Sequence, residues 1–187
     1  MKMLKTDRGW KLLNSEYIFR QPWLTVRKDS FELPNGNFIP DYYILEYPEW
    51  VNVIAITKEK KFVMVRQYRP GIRGFYYELS AGVVDKEDTS MLAAAQRELL
   101  EETGYGNGRW MKFMEVSPNP GTHTNMTYCF LAEDVELIDK QHLDETEELN
   151  VHLLSLEEMK KILLNNEVMQ GVQASPLWKY MAINQLM

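Results

Sequence analysis

The chain has 187 residues, 45% hydrophobic and 26% charged, with a formal net charge of -6 at pH 7. That length suits one well-buried core, and the acidic balance excludes the broad basic surface that nucleic-acid or anionic-membrane binding relies on. No run approaches the roughly 18 apolar residues of a bilayer-spanning helix, MKMLKTDRGWKLL lacks the apolar core of a secretion signal, and a single cysteine, Cys129, excludes an internal disulfide and suits a reducing, cytoplasmic compartment.

The first clear element is a hairpin. LPNGNF, residues 33 to 38, carries Asn35-Gly36, a favoured two-residue turn, between the strand-like LTVRKDSFEL and FIPDYYILEY. VNVIAIT and KFVMVRQY read as two further strands joined by the charged KEKK turn, and YYELSAGVV as another that enters a loop at Gly82. The period then changes. From about Ser90 to Thr103, Met91, Leu92, Ala94, Ala95, Leu99 and Leu100 form the apolar side of a helix, and Gly104 stands where a C-cap glycine belongs. Strands follow near WMKFMEV, MTYCFLA and NVHLL, and Cys129 alternates within its strand as a buried structural thiol. Ser155 with Glu158 forms a capping box that opens a helix through SLEEMKKILL, and Pro176 suits the first turn of a last helix, LWKYMAINQL. Strands dominate, with helices at the middle and end, which indicates an α/β sandwich on a mixed sheet.

The middle helix ends in RELLEETGY, residues 97 to 105, where Glu98, Glu101 and Glu102 are spaced to share one side. Like charges so placed repel, and they sit in the last turn, where the helix dipole already disfavours negative charge. One reading is a solvated acidic face relieved by Arg97. The other is a cation site, in which carboxylate oxygens suit Mg²⁺ or Mn²⁺; the His and Cys spacing of a zinc site is absent, with His123 and His142 in loops and His152 on a strand.

Gly82, then Arg97-Glu98-Leu99, one residue, Glu101-Glu102, one residue, Gly104 and Tyr105 resemble the Nudix box, G-x5-E-x7-R-E-U-x-E-E-x-G-U, where U is apolar. One departure is visible: counted back from Arg97, the glycine and first glutamate positions of the box hold Val83 and Thr89. With Gly82 as the glycine, the loop is one residue longer and Glu87 or Asp88 supplies the missing carboxylate. VRQYRPGIRGFYYELSAGVVD, from Val65 to Asp85, resembles the V-x-Q-x-R-P...E-x-P-A-G segment of the ADP-ribose and ADP-sugar pyrophosphatase branch, with Ser80 in place of the usual proline. Pro120, fifteen residues after Tyr105, and the acidic DETEELNVHLLS, Asp144 to Ser155, are similar to later marks of that branch.

The resemblance implies a Nudix α/β/α sandwich with a mixed sheet over residues 49–187 and a β-rich extension over 1–48 that serves dimerisation and the nucleoside pocket. It implies a metal-dependent hydrolase of a nucleoside diphosphate sugar, with ADP-ribose cleaved to AMP and ribose 5-phosphate; GDP-mannose or ADP-glucose is the nearest rival substrate, and a non-catalytic nucleotide sensor the rival class. Glu98 and Glu102 would be the principal Mg²⁺ ligands (Mn²⁺ as substitute), with Glu101, Glu147 and the Ala81 carbonyl completing the set. Glu145 is implied as general base, with Glu148 its alternative, and Glu101 as the second catalytic carboxylate. Arg69 would clamp the diphosphate, since a guanidinium offers paired donors to phosphate oxygens. Arg66 is a weaker candidate whose other reading is an outward strand residue. Trp23 and Trp50 are candidates for stacking the base. A homodimer is expected, with no nucleic-acid or membrane partner.

Overall fold

The computed structural model describes residues 9–21 and 24–187 and divides them into two compact units. The smaller comprises residues up to 48 together with 119–125. It is a three-stranded antiparallel sheet, β1 (Lys11–Gln21), β2 (Leu24–Glu32) and β3 (Phe38–Glu46), in the order β1-β2-β3. The Asn35-Gly36 turn joins β2 to β3 as expected, with the Gly36 N–H donating to Leu33 O at 2.9 Å and the Asn37 N–H to Asn35 Oδ1 at 2.9 Å. Strand β1 was not legible in advance because every residue of it is exposed, which leaves no one-sided alternation. Inside this unit Asp29 is buried and accepts from Ser15 Oγ at 2.7 Å and from Arg27 Nε at 2.9 Å.

The larger unit holds the mixed sheet and, among the described residues, all three helices. Its strands are β4 (Trp50–Thr57), β5 (Phe62–Arg69), β6 (Gly74–Glu78), β7 (Ser80–Val83), β8 (Tyr105–Gly106), β9 (Arg109–Val116), β10 (Thr127–Leu137) and β11 (Leu149–Leu154). The central order is β11-β5-β4-β10-β8, with β4 and β10 parallel and the other pairs antiparallel. Period-two alternation sends β4 to both sides. Val51, Val53 and Ala55 pack with Ala94, Ala95 and Leu99 of α1 (Met91–Thr103). Ile54 and Ile56 pack with Met159, Ile162 and Leu163 of α2 (Leu156–Leu164) and with Leu177 and Met181 of α3 (Gly171–Ile183). Two apolar faces on one sheet require a helical layer on each, and this is the α/β/α sandwich. Cys129 is fully buried, and burial pushes its thiol up to about 12, so it is an unreactive core residue.

One topological detail builds the cleft. β4 and β5 pair only at Ala55–Val63 and Ile56–Phe62 and then part, and β6 and β7 fill the gap, β6 on β5 and β7 on β4. The expected single strand over YYELSAGVV is therefore two, broken at Leu79 where the chain changes partner. Gly82 lies inside β7, opposite Val51, and does not open a loop.

The helix ends follow the sequence, with one correction. Ser90 caps α1 by accepting from the Ala93 N–H at 3.1 Å, and Gly104 closes it in the left-handed conformation, φ 75°, its N–H donating to Leu100 O at 2.8 Å. Ser155 and Glu158 form the capping box of α2. Pro176, expected in the first turn of the last helix, lies inside α3, which begins at Gly171. A proline there cannot donate to the carbonyl four residues back, Val172 O. That carbonyl accepts instead from Asn52 Nδ2 of β4 at 2.9 Å, so the proline is tolerated and the helix is pinned to the sheet.

Candidate active site

Helix α1 lays its acidic side against β7. Glu98 and Glu102 are one turn apart, and on β7 the residues facing α1 are Ser80 and Gly82, paired with Val53 and Val51 of the same face. A Cβ built on Gly82 would overlap the Glu98 carboxyl group, so only glycine lets that carboxylate lie on the strand. Glu102 reaches one residue back along β7, accepting from the Ala81 N–H at 3.0 Å, and is 5% exposed. Burial pushes the Glu98 carboxyl up to about 7, against the pull of Arg97 and with the repulsion of Glu101 and Glu147. Burial pushes Glu102 up to about 8, against the Ser80 hydroxyl and with the repulsion of Glu98 and Glu147.

Arg97 is the hub of the box. Its Nε and Nη2 donate to Asp88 at 3.2 and 2.9 Å, its Nη2 to Val83 O at 3.0 Å, and its Nη1 to Glu98 and Glu101 at 2.9 and 3.0 Å. Of the two candidates for the missing carboxylate, Asp88 occupies that place, while Glu87 is exposed. Arg97 holds the Asp88 carboxyl below its ordinary value. Through Asp88 and Val83 O the extended loop is tied to the helix.

The acidic loop is fixed to the other end of α1. The last carbonyls of a helix lack intrahelical donors; here Gln141 Nε2 donates to Glu102 O at 2.7 Å and the His142 N–H to Glu101 O at 2.8 Å. Beyond these anchors Glu145 sits exposed in a turn, and Glu147 folds back, its carboxylate accepting from the Asp144 N–H at 3.2 Å. Glu147 is the loop carboxylate whose charge acts on both Glu98 and Glu102. Glu148 is also exposed. The anchors Gln141 and His142 were not singled out in the sequence, since backbone capping by a distant loop leaves no local pattern.

On β5, Arg69 is held by Glu78 of β6, its Nε donating to Glu78 Oε1 at 2.7 Å and its Nη2 to Oε2, while Gln67 Nε2 donates to Oε2 at 3.2 Å. Glu78 is buried and Arg69 is 44% exposed on its side chain, so the pair fixes the guanidinium plane and leaves Nη1 for a ligand. Arg69, Ala81, Gly82 and Trp50 line a cavity of about 550 Å³. Arg66 is not among its lining residues: by alternation it faces the other way along β5, and its guanidinium rests 5.5 and 5.6 Å from the ring centres of Phe75 and Tyr77. Arg66 is exposed. Trp23 lies outside the described residues. Of the histidines, His123 bridges to Leu45 and packs on Tyr47, His142 is exposed and His152 sits on β11.

Among the described residues no three His, Cys, Asp or Glu side chains are gathered as a ready-made metal site, because Arg97 holds Glu98 and Glu101 and the Ala81 N–H holds Glu102. The donor set nevertheless fits a hard divalent cation. All its atoms are oxygens, of carboxylates and of the Ala81 carbonyl, and burial with the repulsion of neighbouring glutamates raises the Glu98 and Glu102 carboxyls.

A family model described as NUDIX domain matches residues 47–172, and one described as nucleoside diphosphate sugar hydrolase N-terminal domain matches residues 10–45. The ADP-ribose pyrophosphatase of Bacillus subtilis (strain 168) is 33% identical over 159 residues, 84% of this chain and 85% of that protein. The methanol dehydrogenase activator of Bacillus methanolicus is 33% identical over 149 residues, 79% of this chain and 80% of that protein. A crystal structure of an ADP compounds hydrolase shares the fold, with a TM-score of 0.80 at 24% identity over 98% of this chain and 100% of that one. With the box assembled on α1 and β7 and the domain matched over most of its length, the chain belongs to the Nudix hydrolase family, on its ADP-ribose and ADP-sugar pyrophosphatase branch.

Proposed function

We propose that the protein hydrolyses the diphosphate bond of a nucleoside diphosphate sugar, with ADP-ribose as substrate and AMP and ribose 5-phosphate as products. The observation that carries this reading is the juxtaposition of Glu98 and Glu102 with β7, whose Ala81 and Gly82 line the same cavity as Arg69. The similarity to an ADP-ribose pyrophosphatase supports the choice of nucleotide sugar.

Nudix hydrolases generally need a divalent metal, and here Glu98, Glu101, Glu102, Glu147 and the Ala81 carbonyl would hold Mg²⁺, or Mn²⁺ in its place. When bound, it would neutralise the diphosphate and polarise the attacked phosphorus. Arg69, its plane set by Glu78, binds the diphosphate through donors that Glu78 leaves unused. Glu145, at the loop tip, acts as general base, taking a proton from the attacking water once the loop has closed. Trp50, in the cavity wall, offers a flat surface to the substrate.

The exposed apolar side chains of the N-terminal sheet, among them Leu12, Ile18, Phe38 and Tyr43, support a homodimer formed through that unit, residues 1–48 serving the assembly and residues 49–187 the chemistry. A cytoplasmic location suits the buried free thiol, and no described helix is long and apolar enough to cross a membrane.

A second reading, favoured by the relative that is a methanol dehydrogenase activator, is a regulator of another enzyme. The retained Glu98, Glu101 and Glu102 support catalysis over sensing alone, because a protein that only sensed nucleotide would gain by losing crowded charges. The deciding experiment is phosphate release from a panel of nucleotide sugars with Mg²⁺, coupled to a phosphatase. Turnover of ADP-ribose above GDP-mannose and ADP-glucose is expected; no turnover of any member would overturn the reading.

A further inference from the structure

The segment that leads from β10 into the acidic loop wraps the C-terminal end of α1. The Ile138 and Asp139 N–H groups both donate to Gly104 O, at 2.9 and 3.1 Å, and the His142 N–H donates to Glu101 O at 2.8 Å. The approach is so close that a Cβ on Gly104 would come within 2.2 Å of Asp139 O. Those donors are all backbone groups, and Gln141 adds a side chain to them. Its Nε2 donates to Glu102 O at 2.7 Å and stands 3.5 Å from Leu149 O. Glu102 lies in the last turn of α1, whereas Leu149 opens β11, where it pairs with Gln67 of β5. A primary amide carries two N–H hydrogens, so one group serves both carbonyls. Gln141 therefore ties the helix to the strand across the neck of residues 142–148. Within that stretch the Glu147 N–H donates to Asp144 O at 3.0 Å, and Glu145 is exposed in the turn so formed. An exposed carboxylate takes its position from the backbone that carries it.

We infer that Gln141 is a positioning residue for hydrolysis, its amide holding the neck of the acidic loop so that Glu145 is carried to a fixed place beside the α1 glutamates. A loop already joined at its neck has less conformational freedom to lose when it closes over substrate. The amide acts on the loop and not on the metal carboxylates, because those have holds of their own. The Glu102 carboxylate accepts from the Ala81 N–H at 3.0 Å, and Glu98 is held by Arg97 at 2.9 Å. The inference rests on the reading of Glu145 as general base; it adds the residue that places it.

The test is a double-mutant cycle. ADP-ribose hydrolysis is measured for the wild type, Gln141→Met and Gln141→Lys, each with and without Glu145→Gln. Methionine matches glutamine in length and carries no donor, while lysine restores N–H donors at similar reach and suits a helix C-terminus. Gln141→Met is expected to lower kcat about tenfold, with KM and the Mg²⁺ concentration for half-maximal rate within about twofold of wild type. Gln141→Lys is expected to recover most of that loss. In the Glu145→Gln background Gln141→Met is expected to cost less than about twofold, since no base is left to place; a merely structural role would cost the same factor in both backgrounds. Melting midpoints identify unfolding. If Gln141→Met does not fold, Gln141→Asn, which keeps the amide but is a methylene shorter, replaces it with the same loss expected. An unchanged kcat, an equal loss in both backgrounds, or a loss that excess Mg²⁺ abolishes overturns the inference. If Glu145→Gln itself turns over near the wild-type rate, the base reading fails and the cycle is run with Glu148→Gln; coupling to neither glutamate overturns the inference as well.

Discussion

Gly82 of β7 and Glu98 of α1 share a space that admits one carboxylate and no additional carbon. Gly82→Ala should therefore push Glu98 off the strand while leaving the sheet pairing intact. A displacement of about 1 Å at a catalytic group can cost ~10²-fold, and kcat/KM is expected to fall by at least that much with little change in melting midpoint. Activity within a few-fold of wild type would show that the Glu98 position is not critical.

The metal assignment is tested by chelation. EDTA should abolish hydrolysis and Mg²⁺ or Mn²⁺ should restore it, whereas Glu102→Gln should lose activity in either metal. The same substitution separates function from stability. A glutamine can still accept from the Ala81 N–H, and it removes a buried charge, so the metal-free variant should melt no lower than wild type. A marked loss of stability would point to a structural ion pair.

Glu98 and Glu102 are raised to about 7 and about 8, above the 4.5 of an unperturbed glutamate. Between these values the folded protein holds protons that the unfolded chain has released, so stability of the metal-free protein should fall as pH rises from about 4.5 through 8. Asp88 acts in the opposite sense: its lowered carboxyl favours the fold above its unperturbed 3.8 and stops doing so only as pH falls through its folded value. Melting of EDTA-treated protein across this range should show the decline, and Glu102→Gln should flatten it. A midpoint that climbs with pH would contradict the assignment.

Glu145→Gln should lower kcat by about 10² to 10⁴ with substrate affinity nearly unchanged, because a base acts on the water and not on the diphosphate. Glu147→Gln should instead raise the Mg²⁺ concentration needed for half-maximal rate, as its charge acts on Glu98 and Glu102. A dead Glu148→Gln beside a near-wild-type Glu145→Gln would move the base to position 148.

Asp88→Ala should lower the melting midpoint by about 2 to 4 °C or more, since it frees the Arg97 guanidinium, whereas Glu87→Ala should leave it nearly unmoved. Equal effects would mean that Asp88 is not the carboxylate of the lengthened box.

The parts of the fold that were legible in the sequence are those specified locally. The Asn35-Gly36 turn, the Ser155–Glu158 capping box and helix α1 between Ser90 and Gly104 each lie within a few residues of the groups that cause them. Asp88, Glu98 and Glu102 could be nominated because their spacing to Arg97 is read along one chain segment. Partnerships across the fold could not be read that way. Pro176 looked like a helix start because its compensation, Asn52 Nδ2 on Val172 O, joins residues 120 positions apart in sequence. Tyr76 and Gln173 were missed for the same reason, since an ordinary strand tyrosine and helix glutamine become cavity walls only when β6 fills the gap between β4 and β5.

That wedge also separates inheritance of the chemistry from inheritance of the substrate. The glutamates ride on α1 and answer to β7, while Arg69, Ile72, Tyr76 and Glu78 ride on the hairpin that β5 forms with β6. Pro70, Gly71, Ile72 and Arg73 lie between the paired strands of that hairpin, so they can be exchanged without breaking a ladder bond. Libraries confined to those four positions should therefore yield variants that cleave different nucleotide sugars with an unaltered metal requirement.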